Sequence, residues 1–332
     1  MRLQQDHPDA YVLTIPAMGS QIDVRWIVGD GNSSKSSQDI GQILQTDIDR
    51  WVEVMSDYQQ DSQVNTLCRQ ADDGNWHTCS AELWQVLMLC DQWNRWSEGA
   101  FDASIGALTR LRRSKTIATQ QQWDQALSSS GWGRIEWDPG ATKIRFERPG
   151  LRLDFGAIGK GFVVDRLGER LLELGIHRYC INASGNMVFG QGPTPHSQGW
   201  PVSIGMVDYS DRSLRQMRLT ECGIATSGDL HQKYRDRPGA QAGDKPTSHI
   251  VDPVKQQGLT KTVMSTLLAS DATSADALAT ACCVHSERGT LRSWLSRLES
   301  KSDGYRGSFE VWVQSLQAGQ ESPALIHWAR QT

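Results

Sequence analysis

Strand-like and helix-like periodicities are interleaved along this chain, and together they predict a fold of mixed helix and sheet. Residues 12–28 alternate as one or two strands. Ile40, Ile43, Leu44, Ile48, Trp51, Val52 and Met55 recur at helical spacing. A third stretch, 151–165, reads as a strand that ends in a glycine-rich turn and runs on into a helix.

The remaining elements follow in order. Residues 29–38, rich in Gly, Ser and Asn, form a turn or loop, and Met55-Ser56-Asp57-Tyr58 closes the first helix. Ser80 caps a second helix that runs to about Trp96; Leu83, Leu87 and Cys90 share one stripe, so its tryptophans read as core rather than as ligand stackers. Strand-like segments lie at 134–137, 143–148 and 152–155. After a helix through Leu174, strands are expected at 179–182, 201–207, 216–219, 224–226 and 249–251, and a last one at 310–313. Residues 191–199 and 235–247 read as surface insertions. No repeat and no interdomain linker interrupts the pattern.

With 332 residues the chain holds one large domain or two intimately packed lobes. A net charge of −4 without a basic run argues against a nucleic-acid partner. No apolar stretch is long enough to span a bilayer. The segment Met1 to Pro8 lacks the apolar core and small-residue cleavage site of a secretory signal. Seven cysteines, with the adjacent pair Cys282-Cys283 poorly placed to bridge, read as buried free thiols of a reducing compartment, and the absence of a C-x-x-C pair gives no zinc site.

Two motifs carry chemistry. In the alanine-rich stretch 270–281, Asp276 and Thr280 stand four residues apart and share one helix face. A carboxylate beside a neutral oxygen, with little bulk around them, suits a hard divalent cation that keeps open positions for phosphate. The same spacing has a plainer account: Thr273-x-x-Asp276 fits a capping box, and the Thr280 hydroxyl is able to bond back to its own helix carbonyls. The second motif is the turn Gly156 to Gly161, where glycines let backbone approach an anion, a helix N-terminus offers N–H groups, and Lys160 adds a charge. It is neither a Walker A loop, since Gly161 follows Lys160, nor a dinucleotide fingerprint. A tight strand-to-helix connection explains the glycines equally well.

Residues 154–165 resemble the D-L-G-G-I-A-K-G-Y-A-V-D signature of the ApbE family, the FAD:protein FMN transferases, and 275–281 match that family's A-D-A-L-A-T-A helix. Six further blocks occur in register: 17–20 (T-M-G-T), 55–65 (M-S-x-Y…S-x-x-S-x-x-N), 101–108 (F-D-I-T-V-G-P-L), 182–186 (N-x-G-G-D), 225–229 (A-T-S-G-D) and 248–253 (S-H-I-I-D-P). The sequence departs from the pattern at Ala107, where the family has proline, and at Ser184, where it has glycine.

The resemblance implies an α+β fold of two intimately packed lobes with the nucleotide site between them, a single domain over 12–315, and peripheral termini at 1–11 and 316–332. It implies a Mg²⁺-dependent enzyme that splits FAD and places FMN on a Thr or Ser hydroxyl of an acceptor protein, such as a subunit of a redox complex, with release of AMP. The implied metal ligands are Asp276, Thr280 and, since alanine has no donor side chain, the carbonyl of Ala157. His249 is the candidate base, although a histidine ahead of a strand is often only packed or capping. For the flavin the pattern points to Met18, Tyr58, Phe101, Asp102, Asp154, Lys160 and Ile250. Tyr58 and Phe101 would pack on the rings, while Asp102 and Asp154 would accept hydrogen bonds. Met18 and Phe101 are equally ordinary as core residues, and Asp102 as a turn cap. Ser227 and Gly228 form a further candidate phosphate-facing turn. Hydrolysis of FAD by water at the same site, and flavin binding without catalysis, are the competing functions. Many family members are exported lipoproteins; lacking a signal and a lipidated cysteine, this sequence reads as cytoplasmic as it stands and as periplasmic if an export signal has been removed.

Overall fold

In a computed structural model, the structure describes residues 1–7, 9–28, 35–114, 118–194, 197–207, 213–228, 233–234, 246–300, 305, 307–316 and 323–330. Nine strands form one sheet: β1 (Arg2–His7), β2 (Ala10–Ala17), β3 (Ser20–Ile27), β4 (Tyr179–Ala183), β5 (Met187–Gln191), β6 (Cys222–Gly228), β7 (Thr262–Ala269), β8 (Phe309–Leu316) and β9 (Ala324–Arg330). They lie side by side in chain order, and every neighbouring pair is antiparallel. The helices are insertions into this meander. Between β3 and β4 come α1 (Ser37–Met55), α2 (Gln63–Gln70), α3 (Ala81–Trp96), α4 (Gly106–Arg113), α5 (Gln120–Ser129) and α6 (Gly159–Glu173); between β7 and β8 come α7 (Ala272–Arg288) and α8 (Leu291–Ser300). The chain is therefore α+β, with a small three-stranded sheet of Ile135–Asp138, Lys143–Phe146 and His77–Thr78 in the helical part.

Several elements follow directly from local sequence. Ser80 caps α3 by accepting the Leu83 N–H at 3.1 Å. In α1, Ile40, Leu44, Ile48, Trp51 and Met55 are buried along one stripe, and Ser36 with Asp39 closes a capping box. The Met18-Gly19 turn joins β2 to β3 with both residues at positive φ, +52° and +74°, the backbone that a two-residue hairpin of this twist requires.

The central helix α7 packs across β6 and β7 on one side and against α6 on the other. Its residues from Ala272 to Ala279 are all buried, which accounts for the run of small side chains: a Cβ at Gly161 of α6 would come within 2.3 Å of the Ala272 carbonyl oxygen, and one at Gly223 of β6 within 3.1 Å of the Ala272 Cα. A single apolar cluster joins Leu13 and Val24 of the sheet, Ile48 of α1, Phe162 and Leu167 of α6, and Leu278 of α7.

Three expectations need correction. Residues 152–155 are extended but form no strand, being tied to their neighbours only by an isolated bridge of Ile105 to Arg152 and by Asp154 N–H to Ala103 O. Of the expected strand 249–251 only Val251 is in a strand; residues 249–250 form a bend between the short strands Thr247–Ser248 and Val251–Asp252. The N-cap of α7 is Asp271, which accepts the Ser274 N–H at 2.7 Å; Thr273 is instead held by Asp165, so no Thr273–Asp276 capping box forms. The terminal segments at 1–11 and 316–332 supply the two edge strands β1 and β9 of the main sheet. Most of the expected loops at 29–38 and 235–247 lie outside the described residues. Among the described residues, no helix is long and apolar enough to cross a membrane, and the seven cysteines are free thiols, five of them buried.

Candidate active site

A cleft of about 840 Å³ lies where α4, the start of α6, α7 and the segment 249–253 meet. Met18, Tyr58, Phe101, Asp102, Asp154, Ala157, Lys160, His249, Ile250, Asp276 and Thr280 all line it, although they come from regions up to 262 positions apart in the chain, from 18 to 280.

One wall is built from close helix packing. The Gly161 N–H, in the first turn of α6, donates to Asp276 Oδ2 at 3.0 Å, and Asp276 is only 5 % exposed. One helical turn further along α7, Thr280 Oγ1 lies 3.0 Å from Ser227 Oγ on β6, so its hydroxyl reaches across to the sheet rather than back to its own helix. Asp165, further along the same α6, receives Ala272 N–H and Thr273 N–H, each at 2.8 Å, and thereby fixes the beginning of α7. Burial pushes the Asp165 carboxyl up to about 6 against the lowering effect of its Thr273 contact. At the N-terminus of α6 the Met18 methyl sits above Gly159, where a Cβ would come within 3.4 Å of it.

The opposite wall is held by charged side chains. Arg113, at the end of α4, pairs with Asp57 and with Asp154 at 3.3 Å, donates to Tyr58 Oη at 2.6 Å, and stacks on the Tyr58 ring with 4.7 Å to its centroid. Asp154 also accepts the Thr109 hydroxyl at 2.6 Å and the Gly156 N–H at 2.8 Å. Burial, then the nearby Asp154 charge, pushes the Asp57 carboxyl up, while Arg113 opposes both. For Arg113 burial disfavours the charged form, and Asp154 and Asp57 outweigh it and raise its basicity.

Among the residues proposed for flavin contact, Tyr58 is 75 % exposed at the mouth and offers a ring face, whereas Phe101 is 2 % exposed and belongs to the main core. Phe101 is thus a core side chain that also lines the cleft. Asp102 closes a turn: Oδ1 accepts Ser104 N–H at 2.7 Å and its hydroxyl at 2.5 Å, and Oδ2 accepts Trp132 N–H at 3.2 Å. Burial raises its carboxyl while these donors lower it.

Sequence reading assigned no role to Thr109, Arg112 or Arg113, all of which line the cleft. A signal existed in the three arginines Arg110, Arg112 and Arg113 that crowd the last turn of α4. Their partners lie 41 to 136 positions away, a separation that local pattern does not reveal.

As to a metal, the donors gathered at the α6–α7 wall are one carboxylate, the hydroxyls of Thr280 and Ser227, and the backbone at Ala157, all hard oxygens. Among the described residues no group of three or more His, Cys, Asp or Glu forms a closed cage. Such a sparse oxygen set fits Mg²⁺, which keeps waters and substrate phosphates in its shell.

Known proteins resemble this chain in sequence and in fold. The FAD:protein FMN transferase of Vibrio cholerae serotype O1 is 25 % identical over 287 residues, covering 83 % of this chain and 81 % of that protein. The protein of the same name from Chlamydia trachomatis is 28 % identical over 226 residues, covering 66 % and 67 %. Among solved structures, the flavin transferase ApbE of Vibrio cholerae superposes with a TM-score of 0.77 at 21 % identity, over 97 % of both chains, and the ApbE protein of Thermotoga maritima with 0.76 at 20 %, over 96 % of both. The family model described as ApbE family matches residues 18–302, and the chain belongs to the ApbE family.

Proposed function

We propose that this protein is a Mg²⁺-dependent FAD:protein FMN transferase, which moves FMN from FAD onto a Thr or Ser hydroxyl of an acceptor protein and releases AMP. The observation that supports this most is the convergence of eleven scattered residues on one cleft, with Asp276 hydrogen-bonded to the helix turn that carries Lys160.

Each residue has a task that its surroundings allow. Lys160 and the N–H groups at the start of α6 face the pyrophosphate. Tyr58, steadied from behind by Arg113, presents its free face to a flat ring. Asp154, fixed by Thr109, Gly156 and Arg113, accepts hydrogen bonds from the nucleotide. Asp276, Thr280 and the Ala157 carbonyl would hold Mg²⁺, which when bound neutralises charge on the phosphates and on the departing AMP. The acceptor hydroxyl oxygen bonds to the FMN phosphorus as the bond from that phosphorus to the bridging oxygen breaks. AMP leaves with the bonding electrons, and His249 takes the hydroxyl proton.

The test is incubation of the protein with FAD and Mg²⁺, with and without a candidate acceptor, following AMP release and covalent flavin fluorescence on the acceptor. AMP together with a labelled acceptor is the expected result. AMP without label identifies water as the nucleophile, and flavin binding with neither product overturns the catalytic reading.

A further inference from the structure

The last turn of α4 places a second arginine, Arg112, in an unusual situation. Its residue is only 1 % exposed, and ordinary arginines avoid such burial because desolvating a guanidinium costs several kcal/mol unless strong contacts offset it. Its Nη2 donates to the Ser248 carbonyl oxygen at 2.7 Å and to Thr247 Oγ1 at 2.9 Å, and the guanidinium carbon lies 5.7 Å from the Tyr234 ring centroid. Room for this contact is made at Gly258, where a Cβ would come within 2.4 Å of both Arg112 Nη2 and the Ser248 oxygen.

The next residue after Ser248 is His249. The backbone on either side of it is fixed by further bonds: Ser248 N–H to Leu259 O at 2.8 Å, Ile250 N–H to Ser248 Oγ at 3.0 Å, and Leu259 N–H to Ile250 O at 3.0 Å. Downstream, Asp252 receives Arg288 of α7 through Nε at 2.9 Å and Nη2 at 2.6 Å. The bend that carries His249 is thus gripped from α4 on one side and from α7 on the other. Of these grips, the one from Arg112 acts on the peptide that immediately precedes the histidine, and it is charge-assisted, which makes it short and directional.

We propose that Arg112 is a positioning residue that aims the His249 imidazole at the acceptor hydroxyl, with Gly258 as the gap that admits it. This rests on His249 serving as the base. Because reaction rates respond steeply to displacement of a catalytic group, loss of the grip lowers turnover far more than it lowers substrate binding: a misplacement of about 1 Å is worth on the order of 100-fold.

The test measures kcat for FMN transfer, FAD affinity by flavin fluorescence and Tm for Arg112→Met, Arg112→Lys and Thr247→Val, each alone and in a His249→Ala background. The expected result is a loss in kcat of about 10- to 100-fold for Arg112→Met, a smaller loss for Arg112→Lys, the smallest for Thr247→Val, and FAD affinity within about twofold throughout. In the His249→Ala background the Arg112 substitutions then add less than about twofold, since there is no imidazole left to aim. Additive losses in that background, or a fall in FAD affinity that matches the fall in kcat, overturn the proposal. Thr247→Val, which removes one contact and leaves the arginine in place, keeps the question answerable if Arg112→Met does not fold. A fully active His249→Ala enzyme refutes the base assignment itself and is read separately.

Discussion

The two walls of the cleft are held together by different physics. At the α6–α7 wall, backbone meets backbone: Gly161 lets two helices approach until its N–H reaches Asp276, and small residues fill what space remains. At the α4 wall, long side chains reach across the gap, with Arg113 joining Asp57, Tyr58 and Asp154, and Arg112 gripping Thr247 and Ser248. Close backbone packing tolerates few residue types, so it leaves a compact motif of Gly and Ala at fixed spacing. Side-chain bridging tolerates many solutions, and it leaves only charged residues whose partners are far away in sequence. In the proposed reaction the first wall would hold the phosphates in fixed geometry, and the second would support the aromatic and acceptor-facing parts of the site.

The largest effect is expected on the first wall from Asp276→Ala. It removes the one carboxylate of the proposed metal site and should abolish FMN transfer, by at least about 1000-fold, together with any response to Mg²⁺. The fold should survive, since the Gly161 N–H left without its acceptor costs only about 1–3 kcal/mol. Activity and Mg²⁺ titration, with Tm as control, check this; a fully active variant removes the metal assignment.

Next comes Gly161→Ala. The added methyl would stand 2.3 Å from the Ala272 carbonyl oxygen and 2.9 Å from Asp276 Cβ, and no flexible side-chain end is there to yield. Overpacking of this kind costs roughly 1–3 kcal/mol and occasionally more, and the helices must part exactly where the site needs them together. A urea titration should place the loss near about 3 kcal/mol, and AMP release should fall with it. A neutral result would mean that backbone contact does not set this wall.

On the second wall, Arg113→Met leaves Asp57 and Asp154 facing each other without the cation between them. The Asp57 carboxyl, already pushed up by burial and by the Asp154 charge, is pushed up further once Arg113 no longer opposes them, so the folded state holds a proton that the unfolded state has released. The stability deficit relative to the parent protein is therefore largest near pH 7 and shrinks as pH falls to about 3, below the ordinary aspartate value of about 3.9, where the Asp57 carboxyl is mostly protonated in either state. At neutral pH a loss of about 2 kcal/mol is expected, below the value for a fully buried pair because these groups retain some solvent contact. Denaturation curves across that pH range decide it: a deficit that stays constant with pH would show that Arg113 contributes by packing alone.

The same contrast explains what was legible in the sequence. Helices α1 and α3 announced themselves because each buries one stripe and begins with a serine cap. Strand β7 did not, because Val263 to Leu267 are buried on both faces and show no alternation. Strand β1 sits at one edge and is almost wholly polar, while β9 at the other edge is apolar in sequence but was read as part of a peripheral tail. Asp276 and Thr280 were found from spacing and from the family pattern, whereas the capping residue of α7 was misread: the cap is Asp271, two residues upstream, and Thr273 is engaged instead by Asp165, more than a hundred positions away. Arg112 and Arg113 were passed over for the same reason: their meaning resides in partners outside the helix that bears them.

The smallest effect belongs to the β4–β5 turn, which is a backbone-defined feature like the first wall. Ser184 has φ +66° and Gly185 φ +76°, and the Asn182 side chain accepts the Gly185 N–H at 2.8 Å. In this three-residue loop, 184–186, the first two residues lie at positive φ, a region that costs an L-residue about 1 kcal/mol and glycine nothing. The family pattern has glycine where this chain has Ser184. Ser184→Gly relieves that strain, and the added freedom of the unfolded chain offsets part of the gain, at roughly 0.5 kcal/mol. The Ser184 N–H to Gln21 O bond of 2.9 Å is a backbone contact and is untouched. A net stabilisation between zero and about 1 kcal/mol by urea denaturation is the expected outcome. Destabilisation would mean that the serine side chain makes up for its backbone strain through contacts of its own, and that this turn belongs with the side-chain-held wall instead.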